Sequence, residues 1–204
     1  MKTTNLWSCR FRVACVLSLL GNFSLCHAGV FNLPHLVTPG EFAAGVEPEL
    51  NVTGVASLGL NLRYTHGLTE LNNVVGIVGI GGGTRGLRFG GAVTFDFFPD
   101  VGDQPGIGLA IQGLFVQLPT VGSVEVTATP YVHKTFKIEQ GNQAEPFFAV
   151  PIGLSLAQGM YTTLVSVSVG GIFQHTDHLR SVFEVGIGLN NTNTYISGGL
   201  TYYH

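Results

Sequence analysis

From Leu87 to Phe97 the chain reads LRFGGAVTFDF, and every second residue is apolar or small: Leu87, Phe89, Gly91, Val93, Phe95 and Phe97. Between them stand Arg88, Gly90, Ala92, Thr94 and Asp96. A period of two sustained over about ten residues is a half-buried β-strand. A helix would scatter Phe89, Phe95 and Phe97 around its circumference. The length of the pattern constrains the fold further. Strands of globular proteins run about 5–6 residues, whereas a tilted strand that crosses a bilayer needs about 9–11.

The pattern recurs along the chain. Alternating segments are expected at about 41–50, 56–64, 74–80, 87–97, 107–116, 123–136, 146–156, 163–173, 182–190 and 194–204. The third, VVGIVGI, is apolar in both phases, so its faces cannot be assigned and eight or twelve strands stay open beside ten. Pro130 and Pro151 fall inside the sixth and seventh segments. Each removes a ladder hydrogen bond, which predicts local irregularity and a bulge.

Charged residues make up only 10 % of the chain, against about 25 % in ordinary soluble domains. Mean hydropathy is positive, +0.36, yet after the N-terminus no apolar run is long enough for a membrane helix. A hydrophobic chain without a hydrophobic helix has the profile of a transmembrane barrel. Residues 1–28 read as a secretory signal peptide: Lys2, Arg10 and Arg12 precede the short apolar run VACVLSLL, and CHA supplies small residues before a cut after Ala28. Residues 29–39 then form a short leader and 40–204 the barrel. Removal of 1–28 takes Lys2, Arg10 and Arg12 with it and leaves 6 basic against 12 acidic residues, a net charge of −6. Cys9, Cys15 and Cys26 leave as well, so no disulfide or thiolate site is expected. An acidic chain without a basic run is a poor nucleic-acid binder.

Two solvents are compatible with alternation. A soluble ligand-binding barrel in the periplasm would turn the apolar phase inward and its polar phase to water. Here the polar phase is mostly Gly, Ser, Thr and Ala, too poorly charged for a solvated exterior, and the apolar phase carries almost no charge. The apolar phase is therefore expected to meet lipid. Aromatic residues collect at one edge of alternate segments: Phe42, Tyr64, Phe97, Phe98, Phe136, Phe148, Phe173 and Tyr202. That edge is expected to be a girdle at a membrane interface.

On these residues the chain resembles a small bacterial outer-membrane β-barrel over about 40–204. YTHGLTELNN (64–73) is similar to the Tyr-x-x-Gly-Leu-Thr periplasmic turn of such barrels, and GGLTYYH resembles their C-terminal assembly signal, here closing on His204. The resemblance implies an antiparallel up-and-down transmembrane barrel with its termini in the periplasm. Its implied partners are outer-membrane lipids, lipopolysaccharide and the barrel assembly machinery.

Under that reading the lumen phase carries Glu41, Glu47, Arg63, Arg88, Asp96, Glu125, Tyr131, His133 and Glu184. These groups either pair into a structural plug or, with acids in excess, line a narrow and mildly cation-preferring pore. A membrane-embedded lipid hydrolase or acyltransferase is the alternative, for which His133, Ser155 and Glu125 are the imaginable triad. No G-x-S-x-G motif accompanies them, and no catalytic residue is assigned. His175 and His178 with Asp177 read as a solvated pair on a turn, with no metal and no cofactor expected.

Overall fold

The structure, a computed structural model, describes residues 37–53, 56–118, 120–138 and 142–204. The expected signal peptide and most of the expected leader lie outside the described residues. The described chain is all β apart from one 3-10 turn. Its strands are β1 (Phe42–Asn51), β2 (Ser57–Thr69), β3 (Asn72–Gly81), β4 (Leu87–Phe98), β5 (Gly106–Gln117), β6 (Gly122–His133), β7 (Phe136–Lys137), β8 (Gln143–Ala149), β9 (Ile152–Ala157), β10 (Met160–Gln174), β11 (Leu179–Asn190) and β12 (Tyr195–Tyr203).

Eleven of these segments build ten staves, and the two-residue β7 pairs only with β8. Each stave pairs antiparallel with the next in sequence, and β12 closes on β1. β8 and β9 are one stave interrupted at Val150 and Pro151, since both lie between β6 and β10. The expected bulge is absent there. Tyr131 faces Ala149 and Ala128 faces Ile152, so three steps along β6 match three along its partner. Proline has removed ladder bonds without slipping the register, because its neighbours keep the remaining ones: the Val150 amide donates to Pro130 O at 3.0 Å. The register does shift elsewhere, near Gly67, Asp96 and Val165. One circuit of the paired residues displaces the ladder by about twelve residues, which tilts the strands by roughly 40° and puts the Cα wall on the order of 10 Å from the axis.

Alternation decides the two faces. In β1, Ala43, Gly45, Glu47, Glu49 and Asn51 are buried while Ala44, Val46, Pro48 and Leu50 are exposed. In β3, Asn73, Val75, Ile77 and Gly79 point inward, which assigns the segment that was ambiguous in sequence. The exposed set includes Leu58, Leu62, Val78, Phe89, Ile111, Val126, Leu154, Val169, Ile187 and Leu200. So continuous an apolar outer wall is foreign to a water-exposed surface. No helix of the described residues is long and apolar enough to cross a membrane.

Val37, where the described residues begin, and His204 lie at one end, here the terminal end. The connections at the opposite end are short: residues 52–56, 82–86, 118–121, 158–159 and 191–194. Gln158 and Gly159 both adopt positive φ (51° and 77°), the two-residue hairpin geometry whose twist matches that of the strands. At the terminal end, 99–105 and 134–142 are longer, but β2 runs on to Thr69 and turns through Glu70 and Leu71 alone. The connection read from YTHGLTELNN is thus mostly strand.

The aromatic residues cluster as their phase dictates. Tyr64, Phe97, Phe98, Phe136, Phe148, Phe173 and Tyr202 are exposed on the outer face towards the terminal end. Phe42 is half-buried among them, stacked 5.8 Å from Tyr64 and 4.9 Å from His204. Tyr195, by contrast, points into the lumen and is fully buried, although it starts its strand at the far edge.

Candidate functional site

The charged residues of the ten staves face the lumen: Glu47, Glu49, Arg63, Arg88, Asp96, Glu125, Glu145, Arg180 and Glu184; Lys137, on the short β7 beyond the end of β6, is exposed. A wall on the order of 10 Å from the axis lets long side chains reach well into the lumen, so staves two or three apart are joined there.

The densest network lies in the half away from the termini. Glu49 is its hub. Its Oε1 pairs with Arg85 Nε, and its Oε2 with Arg88 Nη2 at 3.0 Å, while Asn61 Nδ2 donates to Oε2 at 3.2 Å. Arg88 also donates to Asn61 Oδ1 at 2.7 Å and to the Arg85 carbonyl at 2.8 Å. Lower on the same wall, Arg63 Nε pairs with Glu47 Oε1 at 3.0 Å. Glu125 is buried opposite Ser155 in register, in the field of Arg85 and Arg88. On the adjoining staves β10, β11 and β12, Tyr195 donates to Glu184, and Ser168 Oγ lies 3.2 Å from the same hydroxyl.

Arg85 was not anticipated, because it lies outside the alternating strands. It ends the 3-10 turn Gly83–Arg85, in the glycine-rich connection of β3 and β4. Gly83 takes a φ of +58°, a bend that favours glycine, and the turn folds into the barrel mouth. Arg85 is only 2 % exposed, and its guanidinium lies 5.5 Å from the Tyr195 ring centroid. Leu118, from the connection of β5 and β6, leans inward too. It packs with Val75, Ile77, Leu114 and Val116, an apolar patch on the lumen wall. The far mouth is therefore narrowed by residues of its own short connections.

A second network closes the terminal half. His133 stands between two carboxylates, with Nε2 3.4 Å from Asp96 and Nδ1 2.6 Å from Glu145. Tyr131 donates to Phe95 O at 3.3 Å. The Arg180 guanidinium covers the Tyr203 ring at 4.2 Å. Residues ahead of β1 tuck into this mouth. Val37 is buried, its amide 3.4 Å from Asn73 Oδ1, and the Gly40 amide donates to Gly67 O at 3.0 Å. Glycine is required at Gly67, because a Cβ there would overlap the carbonyls of Val37 and Thr38. Glu41 departs from its expected lumen position: it precedes β1 beyond the Gly40 turn and is exposed at the rim.

Outside the barrel wall, Lys134 and Thr135 are gathered by Asp100. Lys134 Nζ donates to Asp100 Oδ1 at 2.5 Å and the Thr135 amide to Oδ2 at 2.6 Å. Burial works to raise the Asp100 pKa, but these hydrogen bonds outweigh it and hold the carboxyl below its ordinary value.

His133, Ser155 and Glu125 do not assemble as a triad. Glu125 and Ser155 are neighbours across the ladder, whereas His133 lies eight residues along β6 with both ring nitrogens beside carboxylates. His175 sits 2.9 Å from Ser181 Oγ, and His178 Nδ1 lies 2.9 Å from Tyr203 O. Among the described residues no group of three or more His, Cys, Asp or Glu is arranged to hold a metal ion.

No family model and no curated protein sequence matches the chain. Solved structures do. The COG4313 outer membrane channel from Pseudomonas putida F1 superposes with a TM-score of 0.51 at 11 % identity, covering 86 % of this chain and 100 % of that one. A de novo designed transmembrane β-barrel superposes at 0.41 and 11 % identity, over 83 % and 100 %. At such identity the likeness to the channel is one of fold: this chain has the fold of a small outer-membrane β-barrel.

Proposed function

We propose that this chain is an outer-membrane barrel, termini towards the periplasm, whose lumen is a narrow cation-preferring passage for small ions, with its mouths constricted by Arg85 at one end and Val37 at the other. One observation carries this reading. The staves put six carboxylates but only three guanidiniums on the lumen wall and no charge on the outer wall, and Arg85 brings the guanidiniums to four. Filling the space with apolar side chains would avoid the several kcal/mol that each buried ion costs in desolvation. A wall with excess carboxylates instead attracts cations, as acidic rings do in cation channels. The fold shared with an outer membrane channel supports the same reading.

The pairing that fills the lumen also favours a second reading, a barrel closed throughout. Reconstitution in planar bilayers under a KCl gradient separates the two. The proposal expects a small conductance with a reversal potential of the sign set by K⁺ permeation. A silent membrane containing folded protein, or an anion-selective reversal potential, contradicts it.

A further inference from the structure

A groove of about 500 Å³ is cut into the apolar outer wall where β8, β10 and β11 meet, beside the aromatic rim of the terminal end. Its floor is small: Pro146 faces Gly171, which faces Phe183 across the next ladder. Rings of Phe136, Phe173 and Phe183 stand as its walls, and Val169 marks its deep end. Along β10 the groove runs from Phe173 to Val169, four residues, or about 13 Å at strand rise. A single leaflet is about half of a hydrocarbon core of roughly 30 Å. At the strand tilt of roughly 40° this run descends about 10 Å, so the slot begins at an interface and covers about two thirds of a leaflet.

Polar groups wait at its shallow end. Ser181 is the ladder partner of Phe173, on the same outward face. His175 Nε2 lies 2.9 Å from Ser181 Oγ, and the pair is exposed just beyond the aromatic rim. Apolar lining over much of a leaflet's depth, topped by two hydrogen-bonding side chains towards headgroup level, matches the two halves of a lipid.

We propose that this slot is a binding site for one phospholipid of the leaflet on the terminal side, with an acyl chain between the three phenylalanine rings and the phosphate at His175 and Ser181. The proposal rests on the membrane placement of the barrel and not on conduction, so a silent bilayer leaves it standing. Gly171 supplies the decisive substitution. A Cβ there would meet only ordinary contacts, the Phe173 ring at 3.6 Å and Glu145 O at 3.7 Å, so Gly171→Leu fills the slot without pushing on the wall.

The test is native mass spectrometry of the detergent-purified full chain titrated with phosphatidylglycerol, with a boiling-dependent gel shift to verify folding. Wild type is expected to take up one lipid saturably. Gly171→Leu should weaken that binding by roughly ten-fold or more, about 1.4 kcal/mol. Ser181→Ala should weaken it less, and Val185→Phe, which fills the deep end, serves if Gly171→Leu does not fold. Non-saturable uptake that is equal in wild type and the filled variants overturns the site. So does a dimer that Gly171→Leu abolishes, because the slot would then seat a second copy.

Discussion

Glu49→Ala is expected to destabilise the barrel by about 3–5 kcal/mol, the range for removing one partner of a buried ion pair. The cause is what the substitution leaves behind. Arg85 and Arg88 are 2 % and 3 % exposed, and both direct a guanidinium at Glu49. Without the carboxylate two cations remain in the lumen, and Asn61 Nδ2 loses its acceptor. Glu49→Gln retains an acceptor oxygen and should cost less. Glu70→Ala, on the exposed two-residue turn, should stay within about 0.5 kcal/mol of wild type. Urea unfolding in lipid vesicles, read by the gel shift, measures all three. If Glu49→Ala matches Glu70→Ala, the network around Glu49 does not hold the lumen together.

The second large effect is on permeation. Arg85 and Val37 close opposite mouths, so the two constrictions act in series. Opening either alone leaves the other limiting. Arg85→Ala is therefore expected to raise single-channel conductance modestly, and Arg85→Ala with Val37→Gly to raise it several-fold, more than the two single effects combined. Removing the Arg85 charge also increases the excess of lumen carboxylates, so selectivity should move further towards cations. Single-channel recording in bilayers measures both quantities. Unchanged conductance in the double variant would place the constriction elsewhere, in the Asp96, His133 and Glu145 network or the apolar patch.

Most of the wall was readable from alternation, because a strand with lipid on one side and a lumen on the other sorts its side chains strictly. Where the sequence was silent, the lumen itself is the reason. Val75 and Ile77 face inward within an apolar patch that includes Leu114 and Val116. A lumen that is apolar on one wall and charged on another breaks the polar-inside rule locally, and VVGIVGI has no phase. Arg85 was missed for a related reason. Strand periodicity says nothing about a connection, and only the folded turn brings its side chain into the barrel. A lone arginine in a glycine-rich connection, in a barrel whose strand arginines all share the lumen phase, was the available signal. Tyr195 shows the converse: it begins its strand at the far edge, where an aromatic would suit an interface, but its phase puts it inside. Pro151 interrupts its stave without a bulge because Tyr131 and Ala128 on the neighbouring strand keep their partners in step.

The central claim is that the apolar phase meets lipid and the charged phase is enclosed. In a Trp7→Phe background, which removes the only tryptophan, single reporters can be placed at Leu62, 51 % exposed on the outer wall, and at Tyr195, fully buried in the lumen. Fluorescence is then measured in vesicles of ordinary and of brominated phospholipid. The account predicts strong quenching of Leu62→Trp by brominated chains and little quenching of Tyr195→Trp. Quenching of neither, or of Tyr195→Trp alone, would contradict it and return the apolar phase to the inside of a soluble barrel.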